Sequence, residues 1–159
     1  MNAPDRIERL VGCCTAAHLP PADTWADRAA TVRAEGMEAV TEASLERWFS
    51  PDLRERRPEA LEPFRADLLA TEPEGYASCC EAIAAHDVRD RLGSIATPTL
   101  VIAGEDDPAT PPEMAREIAD GVPGARLEVL PRMRHLANVE AADEVNRLLL
   151  EHLGAGARA

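Results

Sequence analysis

The chain has 159 residues, the size of one domain that buries roughly two thirds of its unfolded surface. Apolar residues make up 45% of it and aromatic residues only 3%, so the core must be built from Leu, Ala and Val. A net charge of −12 and a pI near 4.7 exclude nucleic acid and anionic membranes as expected partners.

In chain order, the opening MNAPDRIERL has no apolar signal core, and no later run reaches bilayer length, so a cytoplasmic protein is expected. IERLVGCC, residues 7–14, reads as a short strand followed by a loop, TAAHLPPADT. Residues 24–92 then carry only helical signals. Leu45, Trp48 and Phe49 share one helix face ahead of Pro51, and Leu61, Phe64, Leu68 and Leu69 repeat that spacing after RRPEA. Beyond a TEPEG turn, Tyr76, Cys79, Cys80 and Ile83 form the next stripe, and DVRDRLGSI predicts a short helix ending at Gly93. From residue 98 the pattern changes. PTLVIAG is a fully apolar strand, PPEMAREIADGV a helix with prolines at its start, ARLEVLP a strand, and VEAADEVNRLLLEHLG one long helix closed by Gly154. This alternation predicts parallel strands with right-handed crossovers. No repeat interrupts it, and GAGARA reads as a loose tail.

The expected architecture is therefore α/β, with about three parallel strands and an inserted helical cap. Residues 1–19 hold the first strand and loop, 20–92 the cap, 93–153 a βαβα segment, and 154–159 the tail. In open α/β sheets ligands bind at the carboxyl ends of the strands. Asp106 and Asp107 follow one strand and His135 follows the next. A carboxylate that accepts an imidazole N–H fixes the tautomer and stabilises the imidazolium formed when a nucleophile loses its proton. Asp107 would equally suit a turn before the Pro111 helix, and His135 a plain loop, but their placement at successive strand ends favours a shared role.

The stretches PTLVIAGEDDPATPPE and LPRMRHLANVEAADEVNRLLLEHL resemble the acid and histidine segments of the α/β-hydrolase family. With VGCCTAAH, WADRAATVRAEGMEAV, LERWFSP and LLATEPEGYASCCEAIAAHDVRDRL, the chain resembles the 3-oxoadipate enol-lactonases of that family from about residue 6 to residue 153. The resemblance implies hydrolysis of an enol-lactone in the β-ketoadipate pathway of aromatic catabolism, with no metal and no organic cofactor. It places the acid at Asp107 of the G-x-x-D run Gly104–Asp107, with adjacent Asp106 as the rival, and the general base at His135.

One departure is large. The family's nucleophilic serine lies on a G-x-S-x-G elbow, and none of Ser44, Ser50, Ser78 and Ser94 is so flanked. The family's strand order would make IERLVGCC the sixth of eight strands, with nucleophile and oxyanion donors on earlier ones. Alone, the chain is expected to be inactive or nearly so. Its partner is then a small lactone or ester, handled once an N-terminal half completes the fold. A second reading is a non-catalytic interaction module or gene remnant that pairs with another chain, or a second copy, through an exposed strand edge. A third is a hydrolase of another ester or lactone.

Among the remaining residues, Trp25, Trp48 and Tyr76 of the cap are candidates to line a substrate pocket, although their helical spacing suits core packing as well. His18 is a weaker pocket candidate at the end of the first strand. His86 and His152 lie at helix ends, Arg132 and Arg134 flank His135, and residues 140–144 form an acidic helix start. The pairs Cys13–Cys14 and Cys79–Cys80 lack the gap of a zinc knuckle and read as small buried side chains in a reducing compartment.

Overall fold

The apolar run LVIA becomes the centre of a parallel sheet in the computed structural model, which describes residues 4–154. The elements are β1 (Leu10–Cys13), α1 (Ala22–Glu35), α2 (Glu38–Trp48), α3 (Pro51–Arg56), α4 (Glu62–Ala70), α5 (Pro73–Ala84), β2 (Thr99–Gly104), α6 (Pro112–Gly121), β3 (Arg126–Leu130), α7 (Ala137–Glu140) and α8 (Ala142–Gly154). Residues 155–159, most of the expected tail, lie outside the described residues.

The strand order is β1-β2-β3, with Leu10 beside Thr99 and Ile102 beside Glu128. Every residue of β2 is buried, because helices cover both of its faces. Alternate side chains of a strand point to opposite faces. Leu100 and Ile102 accordingly pack with Leu130, Ala137, Val145 and Leu148, under α7 and α8. Val101 and Ala103 pack with Ala115, Ile118, Leu127 and Val129, under α6. β1 starts at Leu10, later than the expected residue 7. Its ladder opens with the Leu10 N–H donating to the Pro98 carbonyl at 3.0 Å, while Ile7 is exposed.

The described residues form two units, 18–87 and a sheet unit of 4–17 with 88–154. The helical segment was expected to reach residue 92, but residues 88–92 belong with the sheet. Val88 N–H donates to the Ala17 carbonyl at 2.9 Å, and Leu92 packs with Ala17 and Val122. DVRDRLGSI forms a 3₁₀ turn over Arg89–Ser94. The expected single C-terminal helix is instead α7 and α8, broken at Ala141 (φ −119°, ψ 44°). Ala137, Ala141, Val145 and Leu148, on either side of the break, all pack in the sheet core.

Within the helical unit the chain starts and stops where its punctuation says. Gly36 adopts φ 80°, a left-handed conformation that suits glycine, and ends α1 with its N–H on the Val32 carbonyl. The Ser50 hydroxyl accepts from Leu53 N–H ahead of Pro51, and the Glu72 carboxylate accepts from Gly75 N–H ahead of Pro73. Leu45 and Phe49 are fully buried, and Phe49 meets Phe64 edge-on at 5.0 Å between centroids. Arg33 of α1 bonds both Glu74 and Glu81 of α5. An antiparallel bridge between His18 and Asp87 joins the two ends of this unit. No helix among the described residues is long and apolar enough to cross a membrane.

The two-sided burial of β2 sets a contrast. Ile102→Ala is expected to cost about 2–5 kcal/mol in urea denaturation, whereas Leu150→Ala, at a side chain 73% exposed on α8, should change stability by no more than ~0.5 kcal/mol. Equal effects would contradict the assignment of the sheet core.

Candidate active site

β2 ends against the loop that follows β3, and Gly104 makes that approach possible. A Cβ there would collide with the backbone oxygens of Met133 and Arg134, coming within 2.6 Å of the latter. Three contacts then lock the two loops together: Glu105 N–H donates to the Leu130 carbonyl at 2.9 Å, Asp106 N–H to the Met133 carbonyl at 3.0 Å, and Arg132 N–H to the Glu105 carboxylate at 3.1 Å. Arg132 takes φ 62° in this turn.

The result is a buried carboxylate facing an imidazole. Asp107 is 2% exposed, and its Oδ2 lies 2.8 Å from His135 Nδ1. Oδ2 also accepts from the Thr110 hydroxyl at 2.7 Å, while Oδ1 accepts from Ala109 N–H at 2.7 Å and Thr110 N–H at 3.1 Å. Burial pushes the carboxyl upward, but the hydrogen bonds from His135 and Thr110 outweigh it and hold Asp107 below the usual carboxylate range. An ionised carboxylate only accepts, so the His135 proton sits on Nδ1, and Nε2 is the nitrogen left to take a proton. Of the two adjacent aspartates, Asp107 is the one turned inward; Asp106 is exposed. The Thr110 hydroxyl also lies 3.3 Å from His135 Nδ1, so it touches both partners. It was missed in the sequence because a threonine before Pro111 reads as turn chemistry.

The serines are otherwise engaged. Ser44 Oγ donates to the Val40 carbonyl inside α2, Ser94 Oγ donates to the Arg91 carbonyl, Ser50 caps α3, and the exposed Ser78 hydroxyl bonds Glu74. Within the helical unit, Trp25 and Tyr76 pack together on Ala29, Ala77 and Cys80, and Trp25 Nε1 donates to the Leu19 carbonyl at 3.0 Å. Trp48 stands half-buried at the end of α2, outside that cluster. Arg28, half-buried and not singled out in the sequence, donates to the Tyr76 hydroxyl at 2.8 Å and to Ser44 Oγ at 2.6 Å. Both of these partners are neutral. His152 Nε2 reaches the Leu10 carbonyl at 3.1 Å, and His86 is exposed beyond α5. No cluster of three or more His, Cys, Asp or Glu among the described residues could hold a metal ion.

An acid and a histidine carried on successive parallel strand ends agree with what sequence comparison finds. The alpha/beta hydrolase fold family matches residues 1–142. The chain belongs to the α/β-hydrolase family. It is similar to 3-oxoadipate enol-lactonase 2 of Acinetobacter baylyi, 38% identical over 146 residues, which cover 92% of this chain and 54% of that relative. It is also similar to 3-oxoadipate enol-lactonase 1 of the same organism, 32% identical over 130 residues (82% of this chain, 48% of the relative). The crystal structure of the enol-lactonase from Burkholderia xenovorans superposes with a TM-score of 0.91 at 42% identity, over 94% of this chain and 57% of that one. This α/β-hydrolase chain thus spans about half the length of the curated relatives it matches.

The depressed Asp107 carboxyl has a stability consequence. Its folded value lies below its unfolded one, so the unfolded chain binds more protons between the two and stability falls as pH falls through that window. The stability gap between the wild type and Asp107→Asn in urea denaturation is expected to be full above about pH 4 and to shrink as the solution is made more acid. A gap independent of pH would contradict an ionised Asp107.

Proposed function

We propose that the chain carries the acid–base half of a lactone or ester hydrolase, with an enol-lactone of the 3-oxoadipate type as substrate. The observation that carries this reading is the 2.8 Å contact between His135 Nδ1 and the buried Asp107 carboxylate. Similarity to two enol-lactonases over 92% and 82% of the chain supports the substrate class.

In this reading Nε2 of His135 takes the proton of a serine hydroxyl as its oxygen attacks the lactone carbonyl. The ring C–O bond breaks, and the same nitrogen returns the proton to the leaving enol oxygen. Water, deprotonated by His135 in turn, then releases the acid from the serine. Asp107 holds the ring in the reactive tautomer and stabilises the imidazolium without taking its proton. The chain has no G-x-S-x-G, so it is expected to turn over no substrate alone.

A second reading rests on the β1 edge. In a parallel ladder alternate residues bond to one neighbour. Leu10 and Gly12 turn their backbone groups to β2, which leaves those of Val11 and Cys13 on the opposite side, where no strand pairs among the described residues. A strand of an N-terminal hydrolase half, or of a second copy, would pair there.

One experiment separates the two. The full chain is mixed with the separately expressed N-terminal segment of an enol-lactonase relative that bears its G-x-S-x-G elbow, and lactone hydrolysis and sedimentation are followed. The hydrolase reading expects activity that His135→Ala lowers by about 10⁴-fold or more. Activity indifferent to His135→Ala contradicts it. Self-association of the chain without activity favours the second reading.

A further inference from the structure

The chain holds two pairs of adjacent cysteines, and its backbone treats them oppositely. Cys79 and Cys80 lie in α5, where neighbours project about 100° apart and do not face each other, so Cys79 is exposed while Cys80 is buried. Cys13 and Cys14 stand at the carboxyl end of β1, and a regular strand would also send them to opposite faces. The strand does not continue. Cys14 takes φ 45°, in the left-handed region that non-glycine residues seldom adopt. Past this turn both side chains pack on one cluster, with Leu100, Ile102 and Leu130.

The pair sits within the surroundings of the acid and histidine. Cys14 Sγ reaches the Arg134 carbonyl at 3.9 Å, next in sequence to His135, and the charge of Asp107 bears on both thiols. Contact with Cys14 draws the Cys13 thiol below its ordinary range, whereas the same contact, with burial, pushes Cys14 up. Cys13 is half-buried and Cys14 is 8% exposed, so the more reactive sulfur is also the more accessible one.

We propose that Cys13 and Cys14 form a chelating dithiol site for a soft, thiophilic electrophile of the trivalent-arsenical class, built beside the Asp107–His135 pair. A ring disulfide fits less well: neighbouring Cα atoms stand about 3.8 Å apart, below the roughly 4.4–6.8 Å usual for disulfides. A single bridging atom tolerates the wider sulfur separation. With an arsenic(III) oxide, Cys13 forms the first arsenic–sulfur bond and Cys14 the second. The arsenic–oxygen bonds break, the oxygen leaves as water with both thiol protons, and arsenic stays trivalent, so nothing is oxidised or reduced. Loading removes the S–H that Cys14 directs at the Arg134 carbonyl, so His135 senses occupancy. The site does not depend on hydrolase activity.

The test is intact-mass titration of the full, folded chain with phenylarsine oxide, alongside the ring-proton NMR signals of His135. One phenylarsine per chain is expected, retained in a Cys79→Ser, Cys80→Ser variant and weakened about 100-fold in Cys13→Ser, where the second bond can no longer act intramolecularly. Cys13 is half-buried, so this variant avoids the risk that replacing core residue Cys14 unfolds the chain. The His135 signals are expected to shift on loading of the wild type and not of Cys13→Ser. An adduct that survives Cys13→Ser at full affinity, one lost in the Cys79→Ser, Cys80→Ser variant, or a folded wild type left unmodified would overturn the proposal. So would loading that leaves the His135 signals unmoved.

Discussion

The rest of the sheet unit depends on the burial of one carboxylate. An ionised Asp107 inside a protein is costly unless its lone pairs are met, and four hydrogen bonds meet them. Three come from its own turn, through Ala109 and Thr110, so they form as soon as the chain rounds the end of β2. The fourth comes from His135, 28 residues along, and requires the loop after β3 to lie against that turn. Gly104 permits the approach, and the Asp106–Met133 backbone bond fixes its depth. Local turn chemistry thereby prepares an acceptor, and long-range packing delivers the donor to it.

That order of dependence explains which features were legible in the sequence. β2 was readable because a strand buried on both faces must be an unbroken apolar run, and β3 because its apolar residues alternate with Arg126 and Glu128. That an aspartate and a histidine would share one end of the sheet followed from parallel strands of similar length. The family's G-x-x-D pattern pointed to Asp107 over Asp106, but spacing alone did not, because the choice is set by the Thr110 hydroxyl and two backbone N–H groups. The break at Ala141 left no trace in the sequence, since alanine is the best helix former. The strand-end conformation of Cys14 is likewise a tertiary effect: the sequence places its pair at the end of a strand but carries no sign of the turn there.

The acid–base pair is complete in its own geometry, although the chain contains no nucleophile elbow of the family's kind. This is consistent with how such sites divide their labour. The aspartate and histidine are held by loops at the ends of β2 and β3, and none of their hydrogen bonds needs a serine to form. A family chain that spans about half the length of its relatives thus retains the Asp107–His135 geometry. Among the described residues, β1 pairs with β2 and with no other strand.

Asp107 holds His135 as the tautomer with its proton on Nδ1. ¹⁵N NMR of the labelled full chain above neutral pH tests it most directly. A protonated Nδ1 and an unprotonated Nε2 on His135 are expected, with the preference lost in Asp107→Asn. A proton found on Nε2, or a tautomer unchanged by Asp107→Asn, would contradict it.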